Sequence, residues 1–307
     1  MYRHDVIFLE EPITNGLQKM LQGDLSIDDY LLHTEIEYPE FSHRMCGLLR
    51  KLYKNGKKII QLEPFLENLV AIHTFFSQGH GPKELQPQSV RHQVYEAERN
   101  ATKALIDYYQ IVMNGSFEAT IQAIIRFARA DAARFRLRDS MRAEALAVEL
   151  KKGSFAFIEA GVLHLALYHQ LKKRLPESVQ LKPAFLPRNV LKTLGLKGHL
   201  TGPGDQLTLI YVFHPQTQGT FREALLAARS LIYSKMIEKE EISVGLGSFP
   251  HIHNELACIG TVKLLTFEDC NRLFPLIRRV KTQHAQELVD DYLFRVKKIP
   301  RKNQKRP

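Results

Sequence analysis

The strongest single candidate for a chemically active residue in this chain is a histidine that directly follows a predicted strand. Residues 154–160 are mostly apolar and predict a buried strand, and Gly161-Val162-Leu163-His164 follows it. Open α/β sheets bind ligands at the carboxyl ends of their strands, so His164 is a candidate general base or metal ligand there. A purely structural histidine is an equally good interpretation.

An arginine-rich segment precedes this strand. Residues 134–142 have the sequence RFRLRDSMR and predict the start of a helix that carries fixed positive charge. We expect Arg138 to reach into the site, where its guanidinium would stabilise an oxyanion. Asp139 is adjacent to it and faces another direction, so we expect a structural ion pair between Asp139 and Arg136 or Arg142.

Glutamates follow two further predicted strands. Residues 6–9 are followed by Glu10 and Glu11, and residues 57–62 are followed by Glu63. Helices are predicted between the two strands, and a helical crossover favours parallel pairing. Glu11 is expected at the surface. Both strands would end at the same edge of the sheet, so we expect Glu10 and Glu63 to lie close together.

Two roles remain open for these carboxylates. Glu10 and Glu63 could hold a divalent cation together with His164, and such a cation would activate a water molecule. Alternatively, they are solvated acids that stabilise the first turns of helices beginning near Pro12 and Pro64. The spacing favours neither role over the other.

Histidine and cysteine spacing elsewhere gives weaker signals. His251 and His253 would share a face of a strand, as some metal ligands do, but a pair of loop residues is the favoured interpretation. Cys46, Cys258 and Cys270 are too scattered for a disulfide framework or a zinc site. We expect buried thiols and a reducing cytoplasm.

Composition places the chain among ordinary globular proteins. It has 307 residues, of which 44% are hydrophobic and 25% are charged. No apolar run is long enough to span a bilayer, and the N-terminal residues predict no signal peptide. Part of the net charge of +10 lies in residues 295–307, which contain no acid. This tail is expected to be disordered, with nonspecific nucleic-acid contact as the alternative.

Alternating strands and helices predict an α/β protein with a mixed, mainly parallel sheet. The predicted domains are an α/β domain over 1–178 with a helical insertion at 65–150, a C-terminal α/β extension over 179–294, and the tail. Strands of the extension are predicted at 206–213, which is rich in β-formers, and at 242–246 and 259–265.

Together these segments resemble the superfamily that includes TraB, Tiki, ChaN and erythromycin esterase. Its members share an early Gly-x-x-His, a glutamate after the next strand, an Arg-Asp-x-Met helix and a late Gly-x-x-His. The matching residues are Glu10 or Glu11 for the glutamate, Arg138, Asp139 and Met141 for the helix, and Gly161 and His164 for the late motif. The resemblance covers about the first 175 residues. No Gly-x-x-His precedes Val6, so we expect either a missing N-terminal strand or a protein with half of the superfamily's site.

The resemblance implies a hydrolase, a protease or a haem binder. We therefore predict a hydrolase of the TraB and erythromycin-esterase type that acts on a small-molecule or peptide substrate. Its catalytic residues would be Glu10, Glu63, Arg138 and His164, and a divalent metal at Glu10, Glu63 and His164 stays open. The alternative is a catalytically inactive relative. Such a protein would have a regulatory role, or it would bind haem or another anionic ligand through Arg138 and His164.

Overall fold

The computed structural model describes residues 1, 3–34, 37–150, 155–196, 200–242 and 249–299. The chain is mainly helical with one small parallel sheet, so the predicted α/β class is only partly correct. The chain divides into two compact units. Unit 1 is Met1–Arg99 with Ala133–Ala184, and unit 2 is Asn100–Ala132 with Phe185–Pro307. Among the described residues, no helix combines the length and apolar character needed to cross a membrane.

Unit 1 contains the sheet. Its strands are β1 (Val6–Leu9), β2 (Lys58–Gln61) and β3 (Ala156–Ile158), and their order is β2-β1-β3. All three are parallel: Leu9 lies opposite Gln61 and Phe8 lies opposite Ile158. The parallel pairing expected for the first two strands is confirmed, and their carboxyl ends meet at one edge.

Helices cover both faces of the sheet. The helices of unit 1 are α1 (Asn15–Gln22), α2 (Ile27–Leu32), α3 (Pro39–Lys54), α4 (Pro64–Ser77), α5 (Val90–Asn114), α6 (Phe117–Glu149) and α7 (Leu165–Arg174); α5 and α6 contribute residues to both units. Ile7 and Leu9 point to the face packed by α1 and α3, whereas Phe8 points to the face packed by α6 and α7. This alternation follows from the two-residue period of a strand.

The arginine-rich segment lies inside α6, and the prediction that it starts a helix is wrong. Ser116 caps this helix, since its hydroxyl accepts a hydrogen bond from the Ala119 N–H at 3.1 Å. No glycine or proline interrupts the 33 residues of α6, so nothing ends the helix before Arg138. Arg138 and the residue four positions later therefore project from one helical face.

Unit 2 is helical throughout its described residues. Its further helices are α8 (Leu186–Thr193), α9 (Pro203–Phe213), α10 (Phe221–Met236), α11 (Pro250–Lys263), α12 (Phe267–Ile277) and α13 (Thr282–Lys297). The prediction of a C-terminal α/β extension is wrong, because the segments 206–213 and 259–265 lie largely in α9 and α11. Residues 243–246 of the strand predicted at 242–246 lie outside the described residues.

Helix-start signals outweigh β-propensity in α9. Pro203 occupies the first turn, and the Gly202 N–H donates to the Asp205 carboxylate at 3.1 Å. Leu207 and Tyr211 are four residues apart and are both almost fully buried, as expected for one face of a packed helix. The same apolar residues could also form a buried strand, so only the cap separates the two structures.

The basic segment predicted to be a disordered tail is partly helical. Helix α13 continues through Arg295 and Lys297. Residues 300–307 lie outside the described residues.

Candidate functional site

The candidate site lies at the carboxyl edge of the sheet in unit 1. Glu10 directly follows β1, Glu159 directly follows β3, and Glu63 comes two residues after β2. The Glu159 N–H donates to the Phe8 carbonyl at 2.9 Å, so strand pairing continues up to this edge. Three neighbouring strands therefore each deliver a glutamate to one place.

Glu10 is held by His164 and by the backbone after β3. Its Oε1 lies 2.7 Å from His164 Nε2, and its Oε2 accepts a hydrogen bond from the Gly161 N–H at 2.6 Å. His164 directly precedes α7, and its side chain is 5% exposed, whereas the Glu10 side chain is 15% exposed. The predicted Gly-x-x-His turn thus brings both its glycine and its histidine to one carboxylate.

Asp139 holds the other side of the imidazole. Its Oδ1 lies 2.5 Å from His164 Nδ1, and its Oδ2 accepts a hydrogen bond from the Leu167 N–H at 2.9 Å. The Phe135 ring packs edge-on against the imidazole, with 4.9 Å between ring centroids. The expected pairing of Asp139 with Arg142 is wrong, because Arg142 is directed at two other carboxylates.

Two arginines on one face of α6 contact the strand-end glutamates. Arg138 donates from Nη2 to Glu10 Oε1 at 3.3 Å, and its Nε lies 3.6 Å from Glu63 Oε1. Arg142 Nη1 lies 3.4 Å from Glu10 Oε2, and Arg142 Nε lies 3.8 Å from Glu63 Oε2. Arg142 Nε also donates to the Leu62 carbonyl at 3.0 Å. Each arginine thus faces both carboxylates.

Neither carboxylate is a solvated acid at a helix start, so that alternative is wrong for both. Glu63 is fully buried, and although it directly precedes Pro64 at the start of α4, its side chain makes no capping hydrogen bond. No helix begins at Pro12, because α1 starts at Asn15. Glu10 instead points into the cluster of charges.

The Glu10–His164 pair is charged at neutral pH. Burial alone would raise the pKa of Glu10, but the hydrogen bond from His164 and the charges of His164 and Arg142 lower it to about 2. Burial alone would lower the pKa of His164, but the hydrogen bonds to Asp139 and Glu10 raise it to about 9. The imidazole is therefore an imidazolium between two carboxylates.

The pKa of Glu63 is shifted upward, opposite to that of Glu10. Burial raises the pKa of its carboxyl, and the charges of Arg138 and Arg142 offset only part of this effect. Neither Glu63 oxygen has a hydrogen-bond partner among the described residues. Burial also lowers the pKa of Arg142, against the charges of Glu10 and Glu63. The surroundings thus shift the pKa values of Glu10 and Glu63 in opposite directions, although both glutamates face Arg138 and Arg142.

All four predicted catalytic residues meet at this edge: Glu10, Glu63, Arg138 and His164. Sequence reasoning missed Arg142, Glu159 and the contact of Asp139 with the histidine. A signal existed for Glu159, because each strand region ends in an aliphatic residue and a glutamate: Leu9-Glu10, Leu62-Glu63 and Ile158-Glu159. A signal also existed for Arg142, which follows Arg138 by one helical turn.

The proposed metal ligands do not form a metal centre. No group of three or more His, Cys, Asp or Glu side chains among the described residues is arranged to hold a metal ion. Glu10 and Glu63 face the guanidinium groups of Arg138 and Arg142 instead, and His164 Nε2 faces Glu10. The carboxylates and the imidazole at this edge therefore form ion pairs with neighbouring side chains.

The second candidate histidine pair also belongs to no group of three or more metal-ligating side chains in the described part of the chain. His251 and His253 lie on α11, so the expectation of a loop pair is wrong. Residues two apart on a helix face different directions. His251 Nε2 accepts a hydrogen bond from the Ile242 N–H at 2.8 Å, which gives this histidine a structural contact.

Comparison with known proteins gives a relative without an assigned activity. The chain is similar to an uncharacterized protein of Archaeoglobus fulgidus, 29% identical over 272 residues, which are 88% of this chain and 89% of the relative. No protein-family model matches the chain. No solved structure matches it. Any function must therefore be argued from the site itself.

Proposed function

We propose that this chain is a hydrolase of the TraB and erythromycin-esterase type, with its reaction at the carboxyl edge of the sheet in unit 1. One observation carries the proposal: Asp139, His164 and Glu10 form a continuous line of short polar contacts, and Arg138 contacts the end of that line. An acid or base oriented by a second carboxylate, next to a fixed cation, is the usual arrangement for hydrolysis.

Among the four predicted catalytic residues and Arg142, the groups that a substrate can reach are Glu10 and Arg138. Their side chains are 15% and 16% exposed, whereas those of His164, Arg142 and Glu63 are between 0% and 5% exposed. A carbonyl or ester oxygen placed near Arg138 would receive a donor as negative charge develops on it. Glu10 and His164 lie directly behind that position.

His164 supplies the proton. In the charged pair, the transferable proton is on His164 Nε2, 2.7 Å from Glu10 Oε1. The attacking water bonds to the carbonyl carbon and gives a proton to Glu10 Oε1, which forms a tetrahedral intermediate with its oxyanion beside Arg138. The intermediate then expels the leaving oxygen, which takes the His164 proton, and the proton on Glu10 returns to His164, so the proton count balances.

The substrate class remains a small molecule or a peptide with a carbonyl group. Cys46, Cys258 and Cys270 are free and buried, and on that basis we place the reaction in a reducing cytoplasm.

A second candidate function, binding of an anionic ligand such as haem, is favoured by a different observation. Arg142 Nη1 and Nη2 and Arg138 Nε are buried donors without a hydrogen-bond partner in the described part of the chain. Cationic donors that make ion pairs but no hydrogen bond suit the carboxylates of such a ligand. Titration of the protein with haem tests this candidate, because ligation by His164 would shift the haem absorption bands and His164→Gln would abolish the shift.

Hydrolysis of p-nitrophenyl acetate and p-nitrophenyl butyrate tests the main proposal. His164→Gln should lower kcat/KM at least about 100-fold, as expected for loss of a general acid or base. His169→Gln is the matched control, because His169 is an exposed histidine on the same helix and should leave the rate unchanged. Equal rates for His164→Gln and the wild type, or no hydrolysis by the wild type of these and peptide ester substrates, would refute the hydrolase.

A further inference from the structure

We propose that Asp139 is the positioning residue of this site: its buried carboxylate fixes the imidazole of His164 and the first turn of α7 together. The proposal rests on the proposed function, because it names what orients the acid and base of that reaction. The superfamily resemblance places Asp139 beside Arg138 but gives it no partner. The structure supplies the partner.

The two oxygens of Asp139 bind two different parts of one segment. Oδ1 contacts His164 Nδ1 at 2.5 Å, and Oδ2 accepts the Leu167 N–H at 2.9 Å. Leu167 lies in the first turn of α7, and its N–H has only a longer second contact, to the His164 carbonyl at 3.3 Å. The residue that precedes this helix, His164, makes no capping hydrogen bond with its own side chain. Asp139 supplies that acceptor from α6.

The same contacts leave the imidazole one productive orientation. A 180° flip of the ring would exchange Nδ1 with Cδ2 and Nε2 with Cε1, so both carboxylates would face carbon atoms. The flip would therefore lose the contact to Asp139 and the 2.7 Å contact to Glu10 together. Phe135, one turn before Asp139, packs edge-on against the ring and closes another side. Asp139 thereby directs Nε2 at Glu10 and the substrate position.

The charges around the ring agree with this geometry. Glu10 faces it from the end of β1 and Asp139 from α6, and Arg138 and Arg142 act on it through Glu10. Burial alone would lower the pKa of His164, and the hydrogen bond to Asp139 is the first effect that raises it. Asp139 is itself fully buried, so water does not compete for the contact.

Asp139→Asn separates the two contacts. A carboxamide accepts hydrogen bonds only through its oxygen, so the variant can keep the His164 bond or the Leu167 bond but loses a charge in either case. NMR of ¹⁵N-labelled histidine should show His164 protonated on both ring nitrogens at pH 7 in the wild type. In Asp139→Asn, the titration midpoint should fall by about 1–3 pH units, and the Leu167 amide should exchange faster.

Asp269→Asn is the matched control. Asp269 is another buried aspartate that caps a helix, α12, and it lies in unit 2. Its substitution should leave the His164 midpoint unchanged. An unchanged midpoint in Asp139→Asn would overturn the proposal. If that variant does not fold, the NMR signals of His164 in the wild type provide the test. A neutral imidazole at pH 7, or one without a proton on Nδ1, would also overturn the proposal.

Activity separates this proposal from the proposed function. Asp139→Asn should lower kcat for p-nitrophenyl acetate at least 10-fold with KM near the wild-type value, because a positioning residue does not touch substrate. A wild type that hydrolyses nothing, with a His164 signal that still responds to Asp139→Asn, would refute the hydrolase and leave the orientation of the ring standing. If the wild type is active and Asp139→Asn changes neither kcat nor the pH profile, the positioning role alone would be refuted.

Discussion

At the scale of single residues, Glu10 and Glu63 show how hydrogen bonds decide the state of a carboxyl group. Both follow strands of one sheet, and both face Arg138 and Arg142. Glu10 also receives hydrogen bonds from His164 and a backbone N–H, and its pKa falls to about 2. Glu63 receives none among the described residues, and burial raises its pKa. Separated pKa values of this kind are typical of acid and base pairs.

Replacement of Glu63 by glutamine should become more favourable as the pH rises. A group with a raised folded pKa contributes stability that is fully present below its unfolded value of about 4.5 and is lost as the pH rises through the folded value. Glutamine keeps the shape and has no such loss. The free energy of unfolding of Glu63→Gln relative to the wild type should therefore increase from pH 4.5 to pH 8 in urea titrations.

Glu268→Gln is the control for this experiment, because Glu268 is exposed and pairs only at the surface with Arg272. Its difference from the wild type should stay within about 0.5 kcal/mol across the same range. A difference for Glu63→Gln that decreases with pH would show instead that Arg138 and Arg142 keep Glu63 ionised.

The sequence was sufficient to predict that Glu10, Glu63, Arg138 and His164 meet at this site, but not that Arg142 and Glu159 join them, nor all of their contacts. Strand ends and a parallel crossover predict the meeting of Glu10, Glu63 and His164 from local pattern alone. The partner of Asp139 depends on the rotation of α6 about its axis relative to α7. Neighbouring arginines in the sequence carry no information about that rotation, so the predicted pairing with Arg142 was wrong.

At the scale of secondary-structure elements, the sheet and the helices around it were predictable, and the helices of unit 2 were not. The run Thr208-Leu209-Ile210-Tyr211-Val212 favours a strand by composition. It forms α9 because Pro203 and the Asp205 cap start a helix five residues earlier, and because that helix packs on α10. β-Propensity reflects fit to a pleated surface, and unit 2 has no described strand to provide one.

Helix α10 has a capping arrangement whose contribution can be measured. The Thr220 hydroxyl accepts the Glu223 N–H at 3.2 Å, and the Thr220 N–H donates to the Glu223 carboxylate at 2.8 Å. Thr220→Ala should lower the free energy of unfolding by about 1–2 kcal/mol in urea denaturation. Thr193→Ala is the control, because Thr193 is exposed at the end of α8 and bonds only to the Asn189 carbonyl. Equal losses for the two variants would contradict a specific cap.

At the scale of the whole molecule, the candidate site belongs to unit 1 alone. Its residues come from segments 10, 63, 135–142 and 159–167, and all of them lie in that unit. Unit 2 contributes none of these residues. Substitutions in the helices of unit 2, such as Thr220→Ala, should therefore change stability and leave the titration of His164 as it is.

The stability of unit 1 should depend on pH through the Glu10–His164 pair. Glu10 has a lowered folded pKa, so its contribution is present above about 4.5 and is lost as the pH falls toward 2. His164 has a raised folded pKa, so its contribution is present below about 6.5 and is lost as the pH rises through 9. Both contributions are complete between these two unfolded values. Unit 1 should therefore be most stabilised by the pair at about pH 5.5.

Comparison of the wild type with Glu10→Gln measures the contribution of Glu10, which includes this pair and the contacts of Glu10 with Arg138 and Arg142. The Glu10–His164 pair contributes to both pKa shifts, so its free energy is counted once, and the variant should lose at most about 3 kcal/mol at pH 5.5. The loss should shrink toward pH 2, where the wild-type carboxylate is protonated, and above pH 9, where the imidazolium is deprotonated and only Arg138 and Arg142 still face Glu10. Urea denaturation at pH 3, 5.5 and 9.5 gives the three values. A loss that is equal at all three pH values would mean that Glu10 acts through packing, and the charge assignment of the site would then be wrong.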